Sequence, residues 1–340
     1  VKQYEDEWVT EMSIPFNTLR FKEGVDNWRV NFCRVDYGHN EYSNWNHIPR
    51  NFSFSSLANT GIMIWDEAPK RPGANISLIP YAKTGVSKNY ENGTSAQWLK
   101  GLGGDAKIGL TSSLNLDLTV NPDFSQVEVD QQVTNLDRFE IYYPEKRQFF
   151  LENNDLFSEF GVRQARPFFS RRIGITYDEN QDKYVETPIL FGARVSGKLN
   201  QDWKIGVMDM QTAQDPESST PSTNYAVATV HRRVFERSTL AAFIVNKDPV
   251  QSFSGECDSC GFDTFNRVAG LDFNLASADN WWTGKVFYHH SFDEVQTRNS
   301  YSHGTELKYD NGNWNAEWTH ALVGDGYNAE VGYVLSLIHI

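Results

Sequence analysis

Cysteine is scarce in this chain of 340 residues, which has only 3. Cys33 stands alone, and Cys257 and Cys260 share the sequence ECDSCG. One CxxC with no second pair and no histidine ligands nearby is a poor zinc site, so it reads as a local disulfide or two free thiols in a long loop. Long apolar runs are missing too. No stretch approaches the ~18 uninterrupted apolar residues of a transmembrane helix, and the mean hydropathy is -0.54. That excludes a helical membrane protein but not a barrel, in which only alternate residues of each strand meet lipid. Positive charge is also short, with 31 Lys and Arg against 44 Asp and Glu and a net charge of -13. Phosphate binding needs clustered Lys and Arg, so nucleic acid is set aside as a partner. The chain starts at Val1 with no charged-then-apolar leader, which leaves the targeting of a whole protein open.

What is present is a rhythm. From about residue 188 onward, amphipathic runs of strand length follow one another: ILFGARVSGKL, WKIGVMDMQT, NYAVATVHRRVF, STLAAFIVN, NRVAGLDFNL, WWTGKVFYHHSF, GTELKYD, NWNAEWTHAL and YNAEVGYVL. Each is near the ~9 to 11 residues with which a tilted strand crosses a bilayer. The connections alternate between short (NQD, ER, ASADN, NGN) and long (QDPESSTPST, KDPVQSFSGECDSCGFDTF, DEVQTRNSYSH). In an outer-membrane barrel the short turns are periplasmic and the long loops extracellular. Aromatic residues, at 14% with 10 Trp, 15 Tyr and 22 Phe, suit girdles at the two membrane interfaces, although an aromatic-rich soluble sandwich shares that composition.

Side-chain alternation points the same way. In the first run Phe191, Ala193, Val195 and Leu199 share one face, and Arg194, Ser196 and Lys198 the other. One face suits lipid and one suits water. In WWTGKVFYHH the sorting is weaker, since Thr283, Lys285, Phe287 and His289 interleave with Trp282, Gly284, Val286 and Tyr288. The fold class expected is therefore all-β, an incomplete antiparallel transmembrane β-barrel preceded by the remnant of a β-sandwich. Residues 1–50 carry short strand-like runs around EWVTEMSIPFNTLRF and NWRVNFCRVDY and read as that remnant, followed by a linker over 51–74. The partial barrel spans 75–334, beginning with ANISLIPYAK, GGDAKIGL and LNLDLTV. The last residues, LSLIHI (335–340), match what a common sequencing adapter encodes and are read as an artefact.

Residues 121–157, NPDFSQVEVDQQVTNLDRFEIYYPEKRQFFLENNDLF, have neither strand alternation nor a long helical period and read as a structured insertion. They hold Asp123, Glu128, Asp130, Asp137, Glu140, Glu145 and Glu152. A glycosidase needs two carboxylates at a set separation of roughly 5 to 9.5 Å, which spacing along the chain cannot supply. SQVEVDQQ lacks the turn glycine and the ligand spacing of a calcium loop. The favoured reading is packing as a plug or periplasmic loop. Glu145, Lys146 and Arg147 are expected to pair with lumen-facing charges, or alternatively to grip a ligand. Arg166, Arg171 and Arg172 read as interfacial, with an anionic glycan or lipopolysaccharide as the alternative. His231, His289, His290, His303 and His320 show no ligand spacing, and adjacent His289 and His290 must point to opposite faces of a strand.

The insertion also carries a resemblance. Asn121, Pro122, Asp123, Phe124, Ser125 and Gln126, then Phe139, Pro144, Glu145, Lys146, Arg147, Phe149, Phe150, Leu151 and Glu152, resemble in order and spacing the signature of a family of bacterial surface proteins. In that family a family-9 carbohydrate-binding-like sandwich precedes a large domain of unknown function regarded as an outer-membrane β-barrel. EMSIPFNTLRF resembles the closing strands of the binding module and IPYA the entry to the barrel. Most of the sandwich and its sugar-stacking aromatics have no counterpart here, and the family's barrel has more strands than are visible. The signature positions Asn121, Pro122, Asp123, Phe124, Glu128, Asp130, Phe139, Pro144, Glu145, Lys146, Arg147, Phe149 and Glu152 have no assigned role, and no catalytic residue, metal or cofactor is expected. The resemblance implies a non-enzymatic protein of the bacterial outer membrane acting in envelope transport or assembly. Its partners would be outer-membrane lipid, glycan and other envelope proteins. The alternative is a secreted glycan-binding or glycoside-hydrolysing protein. A plug formed by 121–157 would refine the first reading.

Overall fold

A computed structural model of the chain describes residues 1–16, 19, 21, 23–50, 52–70, 76–88, 96–123, 134, 141–178, 183–214, 220–250, 264–294 and 298–335. These form two compact units: Val1–Ile76 with Gly109–Ser113, and Ser77–Ile108 with Leu114–Ile340. The first holds three two-stranded ribbons among the described residues, pairing 2–3 with 8–9, 27–30 with 61–64, and 33–36 with 41–44. The strand Gly61–Ile64 falls within the stretch 51–74 expected to be a linker. Edge-on contacts among Phe16, Trp28 and Trp65, with ring centroids 5.2 to 6.0 Å apart, give this unit a small aromatic core.

The second unit is one sheet of eleven strands. They are β1 (Ile76–Ser87), β2 (Gln97–Gly109), β3 (Leu114–Val120), β4 (Ile189–Lys198), β5 (Trp203–Thr212), β6 (Thr223–Val234), β7 (Ser238–Pro249), β8 (Asn266–Ala276), β9 (Trp282–Phe292), β10 (Tyr301–Asp310) and β11 (Asn315–Val323). Each lies beside its sequence neighbour, and β3 to β11 pair antiparallel, giving an up-and-down meander. The all-β, antiparallel expectation is therefore met. Among the described residues the edge strands β1 and β11 are not paired with each other, so the sheet is not closed.

The short turns form for local reasons. Asn200 accepts hydrogen bonds from the backbone N–H of Asp202 and Trp203, and Asn311 does the same for Asn313 and Trp314. Each side chain thereby supplies the turn's acceptor. At the start of β4 the register shifts between Ile189 and Phe191, so Ile189 is buried while Phe191 points away. This bulge resets the alternation at the point where the chain re-enters the sheet.

Residues 121–188 leave and rejoin the sheet between the paired strands β3 and β4, and the expected insertion 121–157 is the first part of that stretch. It includes the short helices α1 (Gln148–Leu151) and α2 (Asp155–Ser158) and a ribbon pairing 175–178 with 183–186. Phe150, Leu156, Phe157, Phe160, Phe168 and Ile173 pack with Met208, Met210, Tyr225, Val227, Phe243, Val245 and Val268 of β5–β8 in one core. Gly206 of β5 leaves room for this, since a Cβ there would lie 2.7 Å from the Phe157 ring. YNAEVGYVL does not add a twelfth strand. Residues 324–332 are irregular, and only Tyr333–Val334 pair, with Ala165–Arg166 of the insertion. Their apolar residues Tyr327, Val331 and Tyr333 are buried in this covering layer, which overrides the strand pattern.

Candidate functional site

The covered face of the sheet is apolar at its centre and polar on both flanks, and on each flank side chains of the sheet hold the insertion. On the β2–β4 flank the alternate positions Asn115, Asp117 and Thr119 point inward. Arg194 of β4, directly opposite Asp117 in the register, is 2% exposed and donates from Nη2 to Asp117 at 2.8 Å and from Nε at 3.2 Å. Its guanidinium lies 5.0 Å from the Phe149 ring centroid, and its Nη1 has no hydrogen-bond partner among the described residues. Lys107 of β2 lies 3.9 Å from the other Asp117 oxygen and forms an ion pair with Glu152 of the insertion. Glu152 also accepts from the Asn115 amide at 3.0 Å. The next residue, Asn153, takes a left-handed backbone (φ 50°) and donates to the Ser196 hydroxyl.

On the β8–β9 flank the sheet grips backbone instead. Asp272 is 1% exposed and accepts from the Gly161 N–H at 2.8 Å and from His289 Nε2 at 2.7 Å, with the Lys285 ammonium 3.7 Å away. Lys285 donates to the carbonyls of Glu159 and Gly161. Gly161 is required here: its φ is +67°, and a Cβ would sit 2.2 Å from the Ala165 carbonyl. His289 is fully buried, with Nδ1 unpartnered among the described residues, while His290 faces the other way.

The signature residues divide into three groups. Asn121 turns the chain out of β3 in the left-handed region (φ 48°). Its N–H donates to Leu190 of β4, its amide to Leu102 of β2, and its carbonyl accepts from the Tyr81 hydroxyl of β1. Pro122 follows, and Asp123 pairs with Lys83 at 3.3 Å. Pro144, Glu145, Lys146 and Arg147 form an internal knot. Arg147 donates twice to Glu145 and also to the Ser170 and Ile173 carbonyls, and the Ser170 hydroxyl donates to Glu145 at 2.6 Å. Among the described residues Glu145 and Arg147 pair with each other and with the 170–173 turn. Burial alone would raise the Glu145 carboxyl, but the hydrogen bonds and charge of Arg147, with Ser170, outweigh it and hold Glu145 below the ordinary carboxylate range. Phe149 and Glu152 are the wall-facing members, packed on Arg194 and paired with Lys107. Phe124, Ser125, Gln126, Glu128, Asp130, Asp137, Phe139 and Glu140 lie outside the described residues, as do Cys257 and Cys260.

Arg166, Arg171 and Arg172 are tied within the covering layer, donating to the Tyr142 hydroxyl and to the Pro144 and Gly332 carbonyls. Among the described residues no three His, Cys, Asp or Glu side chains are placed to hold a metal ion. No helix among them is long and apolar enough to cross a membrane, which says nothing of strands. Lys107, Asp117, Asp272 and Lys285 were not singled out as site residues. Their signal is a charge at an inward position of an alternating strand, such as Asp117 in LNLDLTV.

The family described as Domain of unknown function (DUF5916) matches residues 72–335, well over half of the chain. The chain belongs to the DUF5916 family. The match takes in the whole eleven-stranded sheet and the insertion fastened to it, so the two flank clamps lie within the DUF5916 domain. No curated protein and no solved structure matches the chain.

Proposed function

We propose that the DUF5916 chain forms the wall of a bacterial outer-membrane β-barrel, with the covering segment on its lumen side, acting without catalysis in envelope transport or assembly. The observation that carries this reading is the character of the open face. Phe191, Val207, Ile244, Leu271 and Val286 point away from the covering segment and are 50%, 47%, 48%, 57% and 50% exposed. The register makes this surface continuous, with Val207, Ala228, Ile244 and Ala269 in one row and Ile205, Val230, Ala242, Leu271 and Tyr288 in the next. A soluble monomer seldom exposes so broad an apolar surface. At the short-turn end Trp203, Phe235, Trp282 and Trp314 are exposed, as an interfacial girdle would be. Towards the long loops the open face becomes polar, with Asn224 donating to Asp209 and Arg267 to Asn246. The strands β4 to β11 have 9 to 12 residues, the length for a tilted crossing. The reading requires both sheet edges to be paired in the membrane, because unpaired backbone groups in lipid are costly.

The complete reading frame should partition with membranes and migrate faster on gels unheated than boiled, as a stable barrel does. A protein that stays soluble without detergent and shows no heat shift would sink the proposal. A second reading assigns glycan binding to the first unit as the remnant of a carbohydrate-binding-like module. Phe32 and Trp45, an edge-to-face pair 65% and 61% exposed, favour it. Trp45→Ala in the whole chain should then abolish retention on immobilised polysaccharide, and unchanged retention would remove this reading. Its hydrolytic form gains no support from Glu145, which is committed to Arg147. If that form held, alanine at Glu128, Asp130 or Glu145 would lower hydrolysis.

A further inference from the structure

The two clamps on the covering segment differ in what is held and how far water reaches it. On the β8–β9 flank Asp272 and Lys285 hold main-chain atoms of Glu159 and Gly161 in a buried setting, with side chains 1% and 17% exposed. Main-chain groups in a tight turn have no soluble competitor of the same shape. On the β2–β4 flank the group held is a side-chain carboxylate, Glu152, and both it and Lys107 are partly open to solvent, at 28% and 41%. Any carboxylate of similar size presents the same two oxygens to the Lys107 ammonium and the Asn115 amide.

A second observation marks the same place. Arg194 is almost fully buried, spends Nε and Nη2 on Asp117, and leaves Nη1 with no acceptor among the described residues. A buried donor of a cation left unmatched is costly, and Asp117 ties it to the Lys107 end of the cluster. The flank thus offers donors from Lys107 and Asn115, with Arg194 joined to them through Asp117, while the only insertion carboxylate reaching it among the described residues is Glu152.

We propose that Lys107 and Asn115, backed by the Arg194–Asp117 pair, form a carboxylate-binding site on the sheet that Glu152 fills in the resting chain. A carboxylate-bearing solute displaces Glu152 and releases the 152–153 turn from the β2–β4 flank, while Phe150, Leu156 and Phe157 stay in the core. The Asp272 and Lys285 clamp keeps the 159–161 turn in place and the Glu145–Arg147 knot holds the other side, so the release is local to the turn. The exchange swaps one carboxylate for another, so no buried cation is left uncompensated on the sheet. The inference deepens the lumen-side reading of this segment, but the displacement itself does not depend on a membrane.

Amide hydrogen exchange of the whole chain tests it, in detergent or in plain buffer as the chain's solubility dictates, with sodium acetate compared against sodium chloride at equal ionic strength. Acetate should speed exchange in peptides covering 148–157 several-fold and leave those covering 159–165 unchanged. Glu152→Gln should show the fast 148–157 exchange already in chloride, with no further gain from acetate. Equal exchange of the native chain in acetate and chloride would overturn the proposal, and that comparison needs no variant to fold. So would an acetate effect of the same size in Glu152→Gln, which would mark a general anion effect. A chain that proves soluble would defeat the barrel reading while leaving this experiment's outcome intact.

Discussion

On β4 the two faces of the sheet can be compared residue by residue. Arg194 and Ser196 are buried at 2% and 0%, while Phe191, on the opposite side, is half exposed. On β9 His289 is fully buried and its neighbours Tyr288 and Val286 are open. Both strands keep the two-residue period of any antiparallel sheet with one covered face. The sign is unusual for a sheet with one covered face: along the flanks the covered face is polar and the open face apolar. The centre of the covered face is apolar as well, because the insertion brings its own phenylalanines there. The charged wall residues that fasten that insertion, Lys107, Asp117, Arg194, Asp272 and Lys285, lie on the flanks.

The covered face should be the more sensitive to loss of a charge. Asp272→Ala leaves Lys285, His289 and the Gly161 N–H without their shared acceptor, and a broken buried pair costs about 3–5 kcal/mol. A lowered denaturant midpoint checks it. Arg194→Met should cost a similar amount by stranding Asp117, whereas Arg194→Met with Asp117→Leu should recover most of the loss, since an apolar pair can replace a buried ion pair. On the open face the effect depends on the surroundings. Ile244→Arg should cost about 2–4 kcal/mol if the side chain meets lipid near mid-depth, and close to nothing if it meets water. Equilibrium unfolding from liposomes distinguishes the two.

A pH-dependent effect is expected inside the insertion. Glu145 is held below its ordinary value of 4.5, so the stability it contributes is present above that value and is lost as pH falls through its depressed folded value. Glu145→Gln should remove that part of the acid dependence and leave the neutral-to-alkaline profile flat, as read from unfolding midpoints against pH.

Much of the wall was legible because it depends on local rules. Alternation gave the strands from β4 to β11 within a few residues, and Asn200 and Asn311 announced their turns. YNAEVGYVL misled because Tyr327, Val331 and Tyr333 alternate as in a strand yet bury against the insertion. The clamps were not legible for a different reason. Asn115 and Glu152 are 37 positions apart, and Lys285 and Glu159 are 126 apart, so their meeting is a property of the packed layers. Glu145 and Arg147 were legible as a charged group, but their partners Ser170 and Ile173 lie beyond the segment that marked them.

The measurement that tests the central claim most directly is the environment of the open face. With Cys33, Cys257 and Cys260 replaced by serine, nitroxide labels at Ile244→Cys and Leu271→Cys would be compared for relaxation by oxygen and by a water-soluble nickel chelate in reconstituted liposomes. High oxygen and low nickel accessibility at both positions is the result expected of side chains facing lipid. High nickel accessibility at both would contradict it and return the sheet to water.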